Sequence, residues 1–342
     1  MKRPRLRRRP IAGRVRALAG RANRWRQTRW FRIGGFIAGA MLVVLAVAAA
    51  LRQDPNAMRD AMDALGQKPW WYAVLFFALP LLNWLSISAS LWLLLSRFGR
   101  LGMGEMNALI GMAWLLNYLP MRPGMVGRIA YHKAINGIGV KQSGLVLVEG
   151  ATITGVASGV LLLGALLLRG VEAKAAWALV VAMPILMGGA ASALLWTSKP
   201  LLARYCAAGA LRVIDIAVWA GRYALAFAIV GSPIELSGAL VLAVASQIAM
   251  LIPISGNGLG LREWLIGALA AGLPAAMLGG GDASLSQGLT ADVLNRVVEV
   301  LVAVPLGLVC LAIIAARLRR VQRLGRTGHP EGTQRSDSDP RP

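Results

Sequence analysis

The amino-acid sequence predicts an all-α, polytopic integral membrane protein, and three observations carry that expectation. Of its 342 residues, 57% are hydrophobic and the mean hydropathy is +0.60, well above what a soluble domain of this size shows. The formal charge of +22 is gathered at the two ends: residues 1–32 hold 13 Lys/Arg and no acid, residues 317–342 hold seven Lys/Arg against three acids, and the tails therefore supply 17 of the 22. Two apolar stretches are interrupted in matching ways, at Pro120-Met-Arg122-Pro123-Gly124-Met-Val-Gly127-Arg128 and at Pro253-Ile-Ser255-Gly256-Asn257-Gly258-Leu-Gly260-Leu-Arg262-Glu263. Each reads as helix, break, helix, and irregular backbone at membrane depth is tolerated only where protein or a water-filled cavity surrounds it.

Basic tails flanking an apolar body are the pattern that keeps loops on the cytoplasmic side. Their natural partners are anionic headgroups, at about 1 kcal/mol per basic residue near the surface, and no nucleic-acid partner is expected. The only cysteines are Cys206 and Cys310, too few for a disulfide framework or a metal cluster, so no metal and no cofactor are expected. Residues 1–32 form a basic cytoplasmic tail in which Ile11, Val15, Leu18, Ala22 and Trp25 recur at helical spacing, an amphipathic pattern suited to lying on the bilayer. Residues 33–316 form the transmembrane domain, and 317–342 a basic, polar, disordered cytoplasmic tail. The apolar run at 33–51 has too long a basic leader for a cleaved signal and reads as an uncleaved anchor.

Six full spans are expected, at about 33–51, 70–95, 144–168, 175–196, 213–230 and 290–316. A mixed-charge loop fills 52–69. Loops around Arg97 and Arg100, and around Lys199, Arg204 and Arg212, place those cations inside the cell. The stretch 106–142 resists a simple crossing, because that would put Arg122, Arg128, Lys133 and Lys141 outside. A re-entrant hairpin turning at Pro120–Arg128 returns the lysines to the cytoplasm. Residues 237–274 repeat the device from the opposite face, turning at Pro253–Glu263. Two inverted halves follow, about 33–170 and 175–316, with both termini cytoplasmic in an inner membrane. Such repeats place substrate near the bilayer midplane at their broken helices.

A charge at the centre of a span costs about 2.5–3.5 kcal/mol on insertion scales, so buried ionisable residues need partners or a task. Arg122, Arg128, Arg262 and Arg296 stand against Glu149, Glu263, Asp292 and Glu299 in this region of the sequence. Two readings remain open: some arginines hold a lipid phosphate in a bidentate grip, or the charges form structural ion pairs. The glycines permit close backbone approach, and a helix starting near Leu261 would aim its first N–H groups at the same anion. His132 is either an interfacial hydrogen-bonding residue or a proton relay. Asn83, Asn117, Gln247 and Asn295 read as interhelical contacts or cavity lining, and Pro80, Pro184 and Pro305 as kinks. The glycines at 256, 258 and 260 lack the preceding strand of a dinucleotide site.

At both turns the chain resembles the lysylphosphatidylglycerol synthase transmembrane family, also described as flippase-like. Pro120, Arg122, Gly124 and Arg128 match a first motif, P-x-R-x-G-E-x-x-R, and Pro253, Ser255, Gly258, Gly260, Arg262 and Glu263 match a second, P-x-S-P-G-G-L-G-x-R-E. Arg296 and Glu149 resemble further charged positions of the family, and the resemblance runs from about residue 33 to 316. Met125 replaces the Glu of the first motif, Gly150 replaces an Arg after Glu149, and Gly256-Asn257 replaces Pro-Gly. The resemblance implies a non-enzymatic domain that binds an anionic phospholipid and moves it between leaflets. The substrate-binding set is Arg122, Gly124, Arg128, Glu149, Ser255, Asn257, Gly258, Gly260, Arg262, Glu263 and Arg296. Lipid aminoacylation is not expected, since only a short polar tail follows the last span. Expected partners are an anionic lipid headgroup and the bilayer, with a homodimer or an envelope-lipid enzyme left open. The competing readings are a non-transporting scaffold or regulator of such an enzyme, and a glycosyl or phospho transferase using Asp54, Asp60 or Asp63.

Overall fold

The computed structural model describes residues 56–119, 122–167, 173–251, 256–274 and 283–327, with isolated helical positions at 41, 44 and 48. The expected tail helix at 10–32, most of the first span, Asp54, Pro120, Pro253 and Ser255 lie outside the described residues. Every element among the described residues is helical.

Helix α1 (Ala57–Gln67) occupies what the sequence suggests is a loop. It is amphipathic: Ala61 is buried, while Arg59, Asp60 and Asp63 point outward. It stops where the Lys68 N–H turns back to the Ala64 and Leu65 carbonyls, with Pro69 just beyond. Helix α2 (Trp70–Leu95) carries Pro80 and buries Asn83, Ser86, Ser90 and Leu94 along one stripe. Its other face exposes Leu75, Leu81, Leu82 and Leu85.

Helix α3 (Met103–Leu116) has 14 residues. At 1.5 Å per residue that is roughly 21 Å, short of the ~30 Å hydrocarbon layer. The chain then breaks, Arg122 adopts a left-handed conformation (φ 48°, ψ 58°), and Pro123 opens α4 (Pro123–Ile135). Helix α4 runs back along α3: Tyr131 reaches Glu105 near the start of α3, and Gly124 meets Ala113 near its end. A Cβ on Gly124 would sit 2.5 Å from the Ala113 carbonyl oxygen, so only glycine lets the two helices close here.

Helices α5 (Val140–Leu167) and α6 (Ala173–Trp196) follow. Helix α7 (Pro200–Ile229) is longer than the expected span, with Pro200 in its first turn. It takes in Arg204 and Arg212, which the sequence assigns to a cytoplasmic loop. Both find partners there: Arg204 bonds to the Leu93 carbonyl and Ser96 of α2, and Arg212 pairs with Asp215 one turn on. Helix α8 (Leu236–Leu251), a 3-10 turn (Gly256–Gly258) and α9 (Leu261–Gly272) form the second interrupted segment, and α10 (Leu285–Thr327) closes the bundle.

The packing repeats itself. Exchanging α2, α3, α4 and α5 for α7, α8, α9 and α10 maps the packed pairs among these eight helices onto one another: α2–α3 onto α7–α8, α3–α4 onto α8–α9, α4–α5 onto α9–α10, α3–α10 onto α8–α5. Helices α2 and α7 pack on each other at the centre of this exchange. One hydrophobic cluster gathers around α7–α10 (Val213, Ile216, Phe227, Leu240, Ile266) and a second around α2–α5 (Leu94, Met106, Leu109, Ile138, Val146).

Three helical stretches, Trp70–Leu95, Val140–Gly164 and Leu285–Arg320, are long and apolar enough to cross a membrane, and Val180–Trp196 and Leu236–Met250 are shorter apolar helices. Outward faces carry Val148, Val156, Leu163, Leu186, Leu301, Leu308 and Ile313. So broad an apolar exterior suits lipid rather than water.

Candidate functional site: a buried charged centre and a cationic pocket

Helix α10 places Asp292, Asn295, Arg296 and Glu299 at i, i+3, i+4 and i+7, hence on one face. Helix α7 opposes it with Arg212, Asp215, Trp219, Arg222 and Tyr223, and α9 adds Arg262 and Glu263 in its first turn. All of these side chains are buried, Arg222, Arg262, Asp215, Glu263 and Asp292 completely.

Glu299 is the hub. Its Oε2 accepts from Arg262 Nη1 at 2.9 Å and Arg222 Nη2 at 3.2 Å. Its Oε1 accepts from the Tyr118 hydroxyl at 2.9 Å and Asn257 Nδ2 at 3.0 Å. Arg262 also donates through Nε to Asp292 Oδ2 at 3.1 Å, and Asp292 accepts from the Tyr223 hydroxyl at 2.8 Å. Arg296 Nε pairs with Glu263 Oε1 at 2.9 Å, and its Nη1 reaches the Asn257 carbonyl at 3.3 Å. Arg222 continues the network to Asn295 at 2.9 Å and Asn83 at 3.2 Å, and Asn83 donates to Asp215 at 2.7 Å. The Arg222 guanidinium lies 3.9 Å from the Trp219 ring centroid, a desolvated cation–π contact.

Both chain breaks reach this centre. Tyr118 and Arg122 belong to the first break; Tyr118 bonds to Glu299, and Arg122 Nη2 donates to the Met250 carbonyl near the end of α8. Asn257 belongs to the second and also bonds to Glu299. The second break is shaped by left-handed backbone at Asn257 (φ 50°), Gly258 (φ 73°) and Gly260 (φ 81°), after which α9 begins at Leu261 as the sequence suggests.

Of the residues singled out from sequence, Asn257, Arg262, Glu263 and Arg296 are therefore assembled into one cluster, with Gly258 and Gly260 shaping the approach and Arg122 bonded beside it. Gly124 serves the α3–α4 contact. Glu149 is not part of this cluster: it pairs with Arg97 and accepts from the Tyr205 hydroxyl at 2.7 Å, with Arg97 bonded to that hydroxyl at 3.0 Å. Arg128 lies elsewhere too, half-buried in a pocket lined by His132 and Ser143. Asp60 and Asp63 sit on the exposed side of α1.

Sequence reasoning passed over Arg222, Asp215, Tyr223 and Tyr118. A signal for two of them was present, since Asp215 and Arg222 are charges inside an apolar run read as a span, and such charges call for a partner.

Counted together, Arg212, Arg222, Arg262 and Arg296 face Asp215, Glu263, Asp292 and Glu299, so the centre is electrically neutral. Taking one member of such a set away leaves an uncompensated buried charge, which costs far more than a surface pair contributes. Arg262 Nη2, Arg296 Nη2, Glu263 Oε2 and Asn295 Nδ2 are buried without a hydrogen-bond partner among the described residues. The network thus keeps donors and one acceptor in reserve. Among the described residues no cluster of His, Cys, Asp or Glu is placed to hold a metal ion. No known protein family model, curated protein or solved structure matches this chain.

Proposed function

We propose that this chain is an inner-membrane lipid-handling protein that binds an anionic phospholipid by its headgroup and carries it between leaflets. The observation that supports this reading is the meeting of two interrupted helical segments at one buried polar centre, the arrangement in which broken-helix transporters handle their cargo. In this reading the chain has six spans, hairpins α3–α4 and α8–α9 enter from opposite faces, and both termini are cytoplasmic. The exchange symmetry of the packing and the resemblance of both turns to flippase-like domains support it. A headgroup crossing bare hydrocarbon loses its hydration without replacement. A polar route with spare guanidinium donors supplies that replacement while the acyl chains stay in lipid.

The test is headgroup exchange in proteoliposomes carrying a fluorescent phosphatidylglycerol whose outer-leaflet copies are bleached chemically, with and without an imposed proton gradient. Bleaching beyond the outer-leaflet fraction, faster than in protein-free vesicles, is expected. A rate equal to that of protein-free vesicles under both conditions sinks the reading. Topology is read separately from single cysteines at Met125 and Leu259 on a background lacking Cys206 and Cys310. Labelling of the first from the cytoplasmic face only and of the second from the opposite face only is expected.

A second reading, a non-transporting scaffold for an envelope-lipid enzyme, is favoured by one feature: the arginines of the centre are already matched by carboxylates. It predicts protein-free exchange rates together with co-purification of that enzyme.

A further inference from the structure

The two carboxylate oxygens of Glu299 differ in what they hold. Oε2 takes cations, Arg262 of α9 and Arg222 of α7. Oε1 has Arg296 at 3.8 Å, beyond hydrogen-bond reach, and is satisfied by neutral donors instead. It accepts from the Tyr118 hydroxyl at 2.9 Å, with the Trp114 indole N–H beside it at 3.4 Å, and from Asn257 Nδ2 at 3.0 Å. Trp114 lies near the end of α3 and Tyr118 just past it, at the first break, while Asn257 lies in the second. One buried oxygen of α10 therefore ties down both broken segments.

A second tie joins the breaks directly. Arg122 Nη2 donates to the Met250 carbonyl in the last turn of α8, where helix carbonyls lack an intrahelical partner. The position of the Asn257 amide is set by its backbone, left-handed at φ 50° and ψ 32°, a conformation asparagine tolerates better than most residues. Asn257 is also a position at which the chain departs from the motif it resembles.

A carboxylate oxygen has two lone pairs, and Oε1 offers one to each break. If α3 withdraws, Asn257 still satisfies the oxygen; if the second break withdraws, Tyr118 and Trp114 do. Withdrawal of both leaves a buried acceptor without a hydrogen bond and incurs its desolvation penalty. We infer that Tyr118, Asn257 and Glu299 Oε1 form a shared latch, which holds both breaks closed over the charged centre and lets one open only while the other stays bonded. The inference rests on the proposed translocation reading for what the opening serves and for the face to which each break opens.

The experiment is labelling of a single cysteine in sealed vesicles by a membrane-impermeant maleimide added to one face or the other, on a background lacking Cys206 and Cys310. The cysteine is supplied by Ala249→Cys, at a buried position of α8 whose carbonyl lies against Gly258 of the second break. Tyr118→Phe removes one oxygen and keeps the ring, and Asn257→Gly removes the amide while suiting the left-handed backbone. Each is expected to raise the labelling rate about tenfold to a hundredfold, the worth of one hydrogen bond to a charged acceptor. The rise is expected from one face only, the cytoplasmic for Tyr118→Phe and the opposite for Asn257→Gly. One face only in each variant, but with the faces reversed or the same, upholds the latch and removes the assigned topology. Opening without lipid exchange in proteoliposomes likewise upholds the latch and removes the translocation reading. A rate equal to the parent's in either variant overturns the inference, and so does a rise from both faces alike, the mark of general loosening.

Discussion

The arginines after the two breaks are set in opposite surroundings. Around Arg262, helices α7 and α10 supply acids, amides and aromatic rings until the buried charge sums to zero. Around Arg128, helices α2, α3 and α5 supply leucine, methionine, valine and one serine. The same local device has been completed in one half and left open in the other. A buried cation with its counter-charge built in holds helices together, because moving any helix separates charges in a poorly solvating interior. A cation without one makes no such link between helices.

That contrast can be broken by measurement, starting with its largest consequence. Glu299→Ala removes the carboxylate shared by Arg222 and Arg262 and should destabilise the protein by about 3–5 kcal/mol in unfolding experiments in micelles; an unchanged midpoint would mean that the centre is not what holds α7, α9 and α10. Gly124→Ala drives a methyl into the Ala113 backbone. Its expected cost is about 1–3 kcal/mol from overpacking of the α3–α4 hairpin, and a neutral result would show that the hairpin is looser than its geometry. Ser143→Ala should stabilise the protein by about 1 kcal/mol, since it deletes a buried hydroxyl that bonds to nothing among the described residues. A loss of stability there would reveal a partner for Ser143 and fill the open half after all. Arg128→Gln, which removes a partly desolvated cation that no carboxylate meets, should leave the protein as stable as before or more stable, although it carries the same change of charge that would cripple Arg262.

Much of this could be read from residues alone. Leu-rich runs of span length gave α2, α5 and the body of α10, and Pro with Gly marked both breaks, because proline removes a donor and glycine tolerates positive φ wherever they occur. Helix ends were less legible. Residues 197–212 look like a basic loop, yet α7 begins at Pro200, since Arg204 and Arg212 find acceptors on α2 and on α7 itself. The loop around Asp60 coils into α1 because Ala61 has a core to enter. The membership of the charged cluster was half legible. Arg262, Glu263 and Arg296 were flagged by charge in apolar surroundings, and the same rule applied to α7 would have flagged Asp215 and Arg222. Glu149 could not be sorted this way, because its partner Arg97 lies 52 positions away in sequence.

By itself, then, the order of residues determined helix type, the two interruptions and the fact that several charges must be buried, since backbone preference and hydropathy act locally. Which charges meet was decided only by the tertiary structure. Electrostatic pairing is a matter of ångströms between helices far apart along the chain, and nothing near Arg262 or Arg128 in the sequence says that α10 brings carboxylates to Arg262 while α5 brings only a serine to Arg128.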